Sequence, residues 1–184
     1  MIHDFPLLGF KNIEMVGDPV HLESAEAVSS YSWPGLDGDA EQLYLLLMAL
    51  RLVTSSTDKY LYLRMNGVAP TGPWWEYHVA GHNNTVKSHD VDYGNSYLAE
   101  LGINRTANAG NTWIRGYSLI FTPQGHMKSV QSKTTRKNDI GSSISFLEMV
   151  DATAENGLTA NVTSIQLHAQ CNFHGDLALY KLGI

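Results

Sequence analysis

Tyr60-Leu61-Tyr62-Leu63-Arg64-Met65-Asn66-Gly67 is the stretch that decides the fold class. In an extended chain, alternate side chains point to opposite faces. Leu61, Leu63 and Met65 therefore share one face, and Tyr60, Tyr62 and Arg64 share the other. Asn66-Gly67 follows at once, and these residue types supply the positive φ that ends a strand in a tight turn. Upstream, Gln42 to Val53 is rich in leucine and helical by propensity. It leads through Thr54-Ser55-Ser56-Thr57-Asp58 straight into the alternating stretch. That connection predicts a buried strand joined to the next by a hairpin.

The same reading extends outward. Val162, Ile165, Leu167 and Ala169 mark one strand, and Phe173 to Leu182 another, with Cys171-Asn172 between them. Trp113 to Phe121, ended by Thr122-Pro123-Gln124-Gly125, precedes His126 to Thr135 and Ser142 to Val150. Trp74 to Val79 is also strand-like. Asp90 to Gly110, with several Asn and Gly, predicts either a long loop or one short helix around Ser96 to Leu101. No β-α-β alternation and no internal repeat is visible. The expected architecture is all-β: an antiparallel β-sandwich, jelly-roll-like, over residues 26–184, with an extended N-terminal arm over residues 1–25.

Composition agrees. The chain has 184 residues, 43% hydrophobic and only 16% charged, with 12 Lys and Arg against 18 Asp and Glu. One domain of that size buries roughly 70% of its surface and needs no disulfide or metal for stability. A net charge of -6 argues against nucleic acid as the partner, because phosphate contact requires clustered basic residues. Lys128, Lys133, Arg136 and Lys137 read as a solvated strand and turn. Cys171, the single cysteine, allows no internal disulfide. The longest apolar run, Leu43 to Leu50, is too short for a membrane helix, and Met1 to Pro6 is not a signal peptide.

Motifs for chemistry are weak. His78, His82, His89 and Asp90 form the most metal-like cluster, but the i, i+4 spacing works on a helix, and this segment reads as strand. The expectation is polar strand and loop residues, with no metal and no cofactor. Asp37-Gly38-Asp39-Ala40-Glu41 lacks the later ligands of a calcium loop and reads as a turn. No nucleophile elbow or phosphate loop is present, and Cys171 with His168 and His174 is no dyad. The aromatic residues are the remaining signal. Trp74 and Trp75 are adjacent on a strand, so one of them points outward. Trp33, Trp74 and Trp75, with Ile2, Phe5, Leu8 and Phe10 of the arm, are the candidate interface residues.

Several features in order resemble the small virion proteins of tailed bacteriophages that have a jelly-roll or related β-sandwich fold. They are Leu36-Asp37-Gly38-Asp39 with Tyr44, Tyr60 to Gly67, Trp75-Glu76-Tyr77, Ile114 to Ser118, and the pair Ile165 to Ala169 and Phe173 to Leu182. The resemblance implies a non-enzymatic structural protein of the virion, made in the host cytoplasm. It would be a capsid decoration or cement protein acting as a homotrimer on the major capsid protein or another virion protein. It also implies that Met1 to Val20 crosses a subunit boundary. Two other readings stay open: a carbohydrate- or receptor-binding tail-fibre module that takes a host-surface glycan, and an enzyme using the His78 to Asp90 region.

Overall fold

A computed structural model of the chain describes residues 12–38, 42–53, 59–66, 74–81, 87–93, 101–106, 112–126, 128–140, 144–156 and 159–183. Side chains are described for 12–38, 42–53, 61–66, 113–126, 128–135 and 159–183. The described residues form strands β1 (Asn12–Met15), β2 (Val20–Leu22), β3 (Val28–Pro34), β4 (Gln42–Val53), β5 (Lys59–Met65) and β6 (Trp74–Gly81). They continue as β7 (Lys87–Tyr93), β8 (Leu101–Thr106), β9 (Thr112–Thr122), β10 (Lys128–Ile140), β11 (Ile144–Asn156) and β12 (Ser164–Gly183). The one helical turn among them is a 3-10 turn at Ser24–Glu26. The protein is all-β, and every pairing among the described strands is antiparallel.

The strands run in the order β7-β6-β11-β10-β9-β4-β12-β5-β8, with β1, β2 and β3 also paired to β12. β8 comes to lie beside β11 and β10, so the sheet curls back over itself in a sandwich-like arrangement. β12 is the organising element. Along it Ile165, Leu167, Ala169, Phe173, Leu177, Leu179 and Leu182 are buried, with Cys171 half-buried among them. What reads in the sequence as two strands is one strand that bends. Between His168 and Phe173 its register against β3 shifts, and such irregularities let one strand serve two layers.

β4 is a strand, as its position before the alternating stretch predicts, but the hairpin expected between β4 and β5 does not form. β4 pairs with Asn172 to Leu182, and β5 pairs with Ile165 to Ala169. Both are antiparallel to β12, so they run in the same direction along it. β12 is long enough, at 20 residues, to take both partners end to end. Inward positions are even in β4 (Tyr44, Leu46, Met48, Leu50, Leu52) and odd in β5 (Leu61, Leu63, Met65).

Tyr62 is buried as well, so β5 is covered on both sides. Asn66 has φ 58°, the conformation expected of it. Its side chain clasps the entry to β12: Nδ2 donates to Asn161 O at 2.7 Å, and Oδ1 accepts from Thr163 N at 2.7 Å. The segment expected as a loop or short helix, Asp90 to Gly110, takes in the end of β7 and all of β8. They are short and polar, and their pairing comes from neighbours rather than from their own alternation.

Part of the segment expected as an N-terminal arm over residues 1–25 is paired within this chain. From Asn12 onward the chain pairs with its own β12, Asn12 opposite Gly183 and Val20 opposite Leu177, so residues 12–22 cap an edge of this chain's sheet. An uncapped edge would leave the β12 backbone groups without partners. Residues 1–11, with Ile2, Phe5, Leu8 and Phe10, lie outside the described residues.

Candidate interaction surface

Among the described residues, the buried polar side chains of this sheet include Ser118, Thr122, Lys128, Ser132 and Thr134. On β9 and β10 the inward row includes Ser118 and Ser132, whose hydroxyls bond each other at 2.7 Å. Each satisfies a group that would otherwise be buried at a cost of about 1–3 kcal/mol. Lys128, expected to be solvated, is instead fully buried. Its Nζ donates to Pro123 O and to His126 O, closing the β9–β10 turn. Burial pushes its pKa below the ordinary lysine value. Tyr44, also buried, has its phenol pKa pushed up, first by burial and then by the charge of Asp37.

The opposite face of the same strands is unlike an ordinary wet sheet surface. Leu47 on β4 stands between Tyr117 on β9 and Ala178 on β12. Toward one end, Leu45 lies between Leu119 and Tyr180, and Tyr180 faces Met15 on β1. Toward the other end, Ala49 lies between Arg115 and Asp176, and Arg51 between Trp113 and His174. Leu47, Tyr117, Phe121 and Met15 are each more than a third exposed.

Where Ala49 and Ala178 carry only methyl groups, the face dips into a groove of about 440 Å³ rimmed by Pro19, Val20 and His21. At that rim His21 Nδ1 bonds Asp176 Oδ1 at 2.6 Å, and this contact raises the pKa of His21. At the Arg51 end, the Cζ atoms of Arg51 and Arg115 lie 5.4 Å and 5.9 Å from the centre of the Trp113 ring. That is cation–π range, and it fixes two guanidiniums beside an indole on a rigid ladder.

The residues singled out from sequence fare differently. Trp33 is in the core, only 4% exposed, edge-on to Tyr31 with ring centres 5.0 Å apart. It is therefore no surface anchor; its inward position on β3 serves the core, and its Nε1 finds no hydrogen-bond partner among the described residues. Trp74 and Trp75 are on β6, opposite Glu155 and Ala154 of β11, but their side chains lie outside the described ones. His78 stands opposite His89, while Asp90 stands opposite Tyr77 and so belongs to the other face. His82, Asp39 and Glu41 lie outside the described residues. Among the described residues no group of three His, Cys, Asp or Glu is placed to hold a metal ion.

Leu47, Arg51, Trp113, Arg115, Tyr117 and Phe121 were not legible as a surface. One signal did exist. Leu43 to Leu50 is apolar at every position, and a strand must turn half of such a run away from the core. Comparison with protein-family models, with curated proteins and with solved structures finds no match for the chain.

Proposed function

We propose that the protein is a structural, non-enzymatic component of a bacteriophage virion, of the jelly-roll-related capsid decoration or cement kind. It would assemble with copies of itself and with a capsid protein through the outer face of β4, β9 and β12. The observation that carries this reading is the composition of that face. Tyr117, Phe121, Met15, Trp113, Arg51 and Arg115 are the residue types enriched in the buried centres of protein interfaces, and here they lie at the surface. A contiguous exposed apolar patch on a sheet face marks a docking surface. The particular class rests on the resemblance of the ordered sequence motifs to those of small phage virion proteins.

Light scattering on the eluting full chain tests it. The expected mass is a multiple of 20.3 kDa, falling to 20.3 kDa in Leu47→Asp and in Tyr117→Asp with unchanged far-UV circular dichroism. A monomer for the unmodified chain at about 100 µM, together with no uptake onto phage capsids, sinks the reading. The Arg51–Trp113–Arg115 cluster favours a second one, a fibre module that takes an acidic glycan, because an indole stacks on sugar and guanidiniums pair with carboxylate. Quenching of tryptophan emission by sialylated oligosaccharides, lost in Trp113→Ala, would favour that reading instead.

A further inference from the structure

The outer face changes character from one side of β4 to the other. One row of the register shows it: Arg115 on β9, Ala49 on β4, Asp176 on β12 and His21 on β2 stand side by side across four neighbouring strands. Cations lie on the β9 side. Arg115 and Arg51 flank Trp113, and among the described residues neither guanidinium has a carboxylate within ion-pair distance. Carboxylates lie on the β2 side. Asp176 bonds His21, and Glu23 and Glu26, exposed just beyond β2, are close enough to raise the pKa of the same imidazole. Bulk follows charge. Two residues along, Tyr117 and Leu47 stand out on β9 and β4, whereas Ala178 on β12 leaves the groove beside Pro19 and Val20.

Such a face complements itself. We infer that a second copy of this chain occupies it, face to face, about a two-fold axis that runs along the strands between β4 and β12. That operation lays β9 of each copy over β2 of the other, and β4 over β12. Arg115 then comes over His21 of the second copy, with that copy's Asp176 beside it. Tyr117 enters the groove beside Pro19 and Val20, Leu47 covers Ala178, and every contact occurs twice. A two-fold axis across the strands would instead set β9 on β9 and gather the cations of both copies on one side, which like-charge repulsion opposes. Four strands about 4.8 Å apart, over the length of β4 from Gln42 to Leu52 at about 3.4 Å per residue, present roughly 700 Å². A standard interface takes about 800 Å² from each partner, so the whole face is engaged and not its apolar centre alone. This symmetry rests on the self-assembly proposed for the face and adds its partner contacts and its size.

Light scattering on the eluting full chain at about 100 µM reads the symmetry first, with twice 20.3 kDa expected. Arg115→Glu and Asp176→Arg should each spoil both copies of one contact and weaken the dimer about a hundredfold, with unchanged far-UV circular dichroism. An equal mixture of the two variants should restore a dimer to within about tenfold, because each then meets the opposite charge on the other. Native mass spectrometry identifies that mixed dimer by its mass. Raising sodium chloride from about 50 mM to about 500 mM should weaken the dimer of the unmodified chain. A mass of three times 20.3 kDa, a dimer indifferent to both substitutions, or a mixture that stays monomeric overturns the two-fold while self-assembly stands. A monomeric unmodified chain overturns it as well. If phage capsids still take up that monomer, and Leu47→Asp abolishes uptake, the face belongs to the capsid protein and the virion reading survives. With no uptake, both fall.

Discussion

Replacing Asn66 with alanine isolates a single side chain that ties β5 to β12. Its Oδ1 accepts from Thr163 N at 2.7 Å and, more weakly, from Thr163 Oγ1 at 3.2 Å and Ser164 N at 3.3 Å. Its Nδ2 donates to Asn161 O at 2.7 Å. The two short bonds contribute about 1 kcal/mol each, and the longer ones less. Alanine must in addition hold φ at 58°, a left-handed conformation that costs an ordinary residue about 1 kcal/mol. The expected loss for Asn66→Ala is therefore about 3 kcal/mol. In a chain of this length that lowers the melting temperature by roughly 6–12 °C.

Two further variants divide the loss. Asn66→Gly keeps the backbone conformation at no steric cost and forfeits only the bonds. Asn66→Asp keeps the acceptor and loses the donor to Asn161 O, so it should cost about 1 kcal/mol. Urea denaturation with matched m-values reads all three. A loss below about 0.5 kcal/mol for Asn66→Ala, or equal losses for Asn66→Ala and Asn66→Asp, would refute the clasp.

Three other outcomes follow from the same structure. Gly175→Ala should be far more damaging than Gly17→Ala. A Cβ at Gly175 would lie 2.2 Å from Ala49 O, whereas Gly17, also at positive φ, has open space around it. Expected losses are at least about 3 kcal/mol against about 1 kcal/mol, read as urea midpoints. Lys128→Met keeps the aliphatic stem but strips the carbonyls of Pro123 and His126 of their donor, and should cost about 2 kcal/mol in the same assay. The pKa of His21 is raised above 6.5 by its bond to Asp176, so the folded state holds that proton more tightly than the unfolded one. The contribution is fully present below pH 6.5 and fades as pH rises through the raised value. Melting temperatures between pH 5.5 and 8 should show that fall, and Asp176→Asn should remove its share of it.

Legibility from sequence varied by element, for physical reasons. The strand at Tyr60 to Met65 was plain because Leu61, Leu63 and Met65 alternate against polar neighbours, and all three are buried. β7 was not, because Ser88, Asp90 and Asp92 give it no clear apolar face, and β8 offers only Leu101 and Ile103 before Arg105 breaks the alternation. Trp33 looked like a surface anchor because tryptophan suits both a core and an interface, and only its inward position on β3 tells them apart. The outer face was hidden inside Leu43 to Leu50, a run in which inward and outward leucines look alike.

By itself the sequence determined that this chain is all-β, that Ile165 to Ala169 and Phe173 to Leu182 supply strand, and that Asn66 takes a positive φ. Each of these is a property of a residue and its immediate neighbours. Only the tertiary structure decided that β4 and β5 lie end to end along one bent β12, that residues 12–22 cap that strand, and that Arg115 and Asp176 share a row. Alternation fixes which side chains share a face but carries no information about which distant strand lies alongside. That choice is made by register, through backbone hydrogen bonds that every residue offers alike.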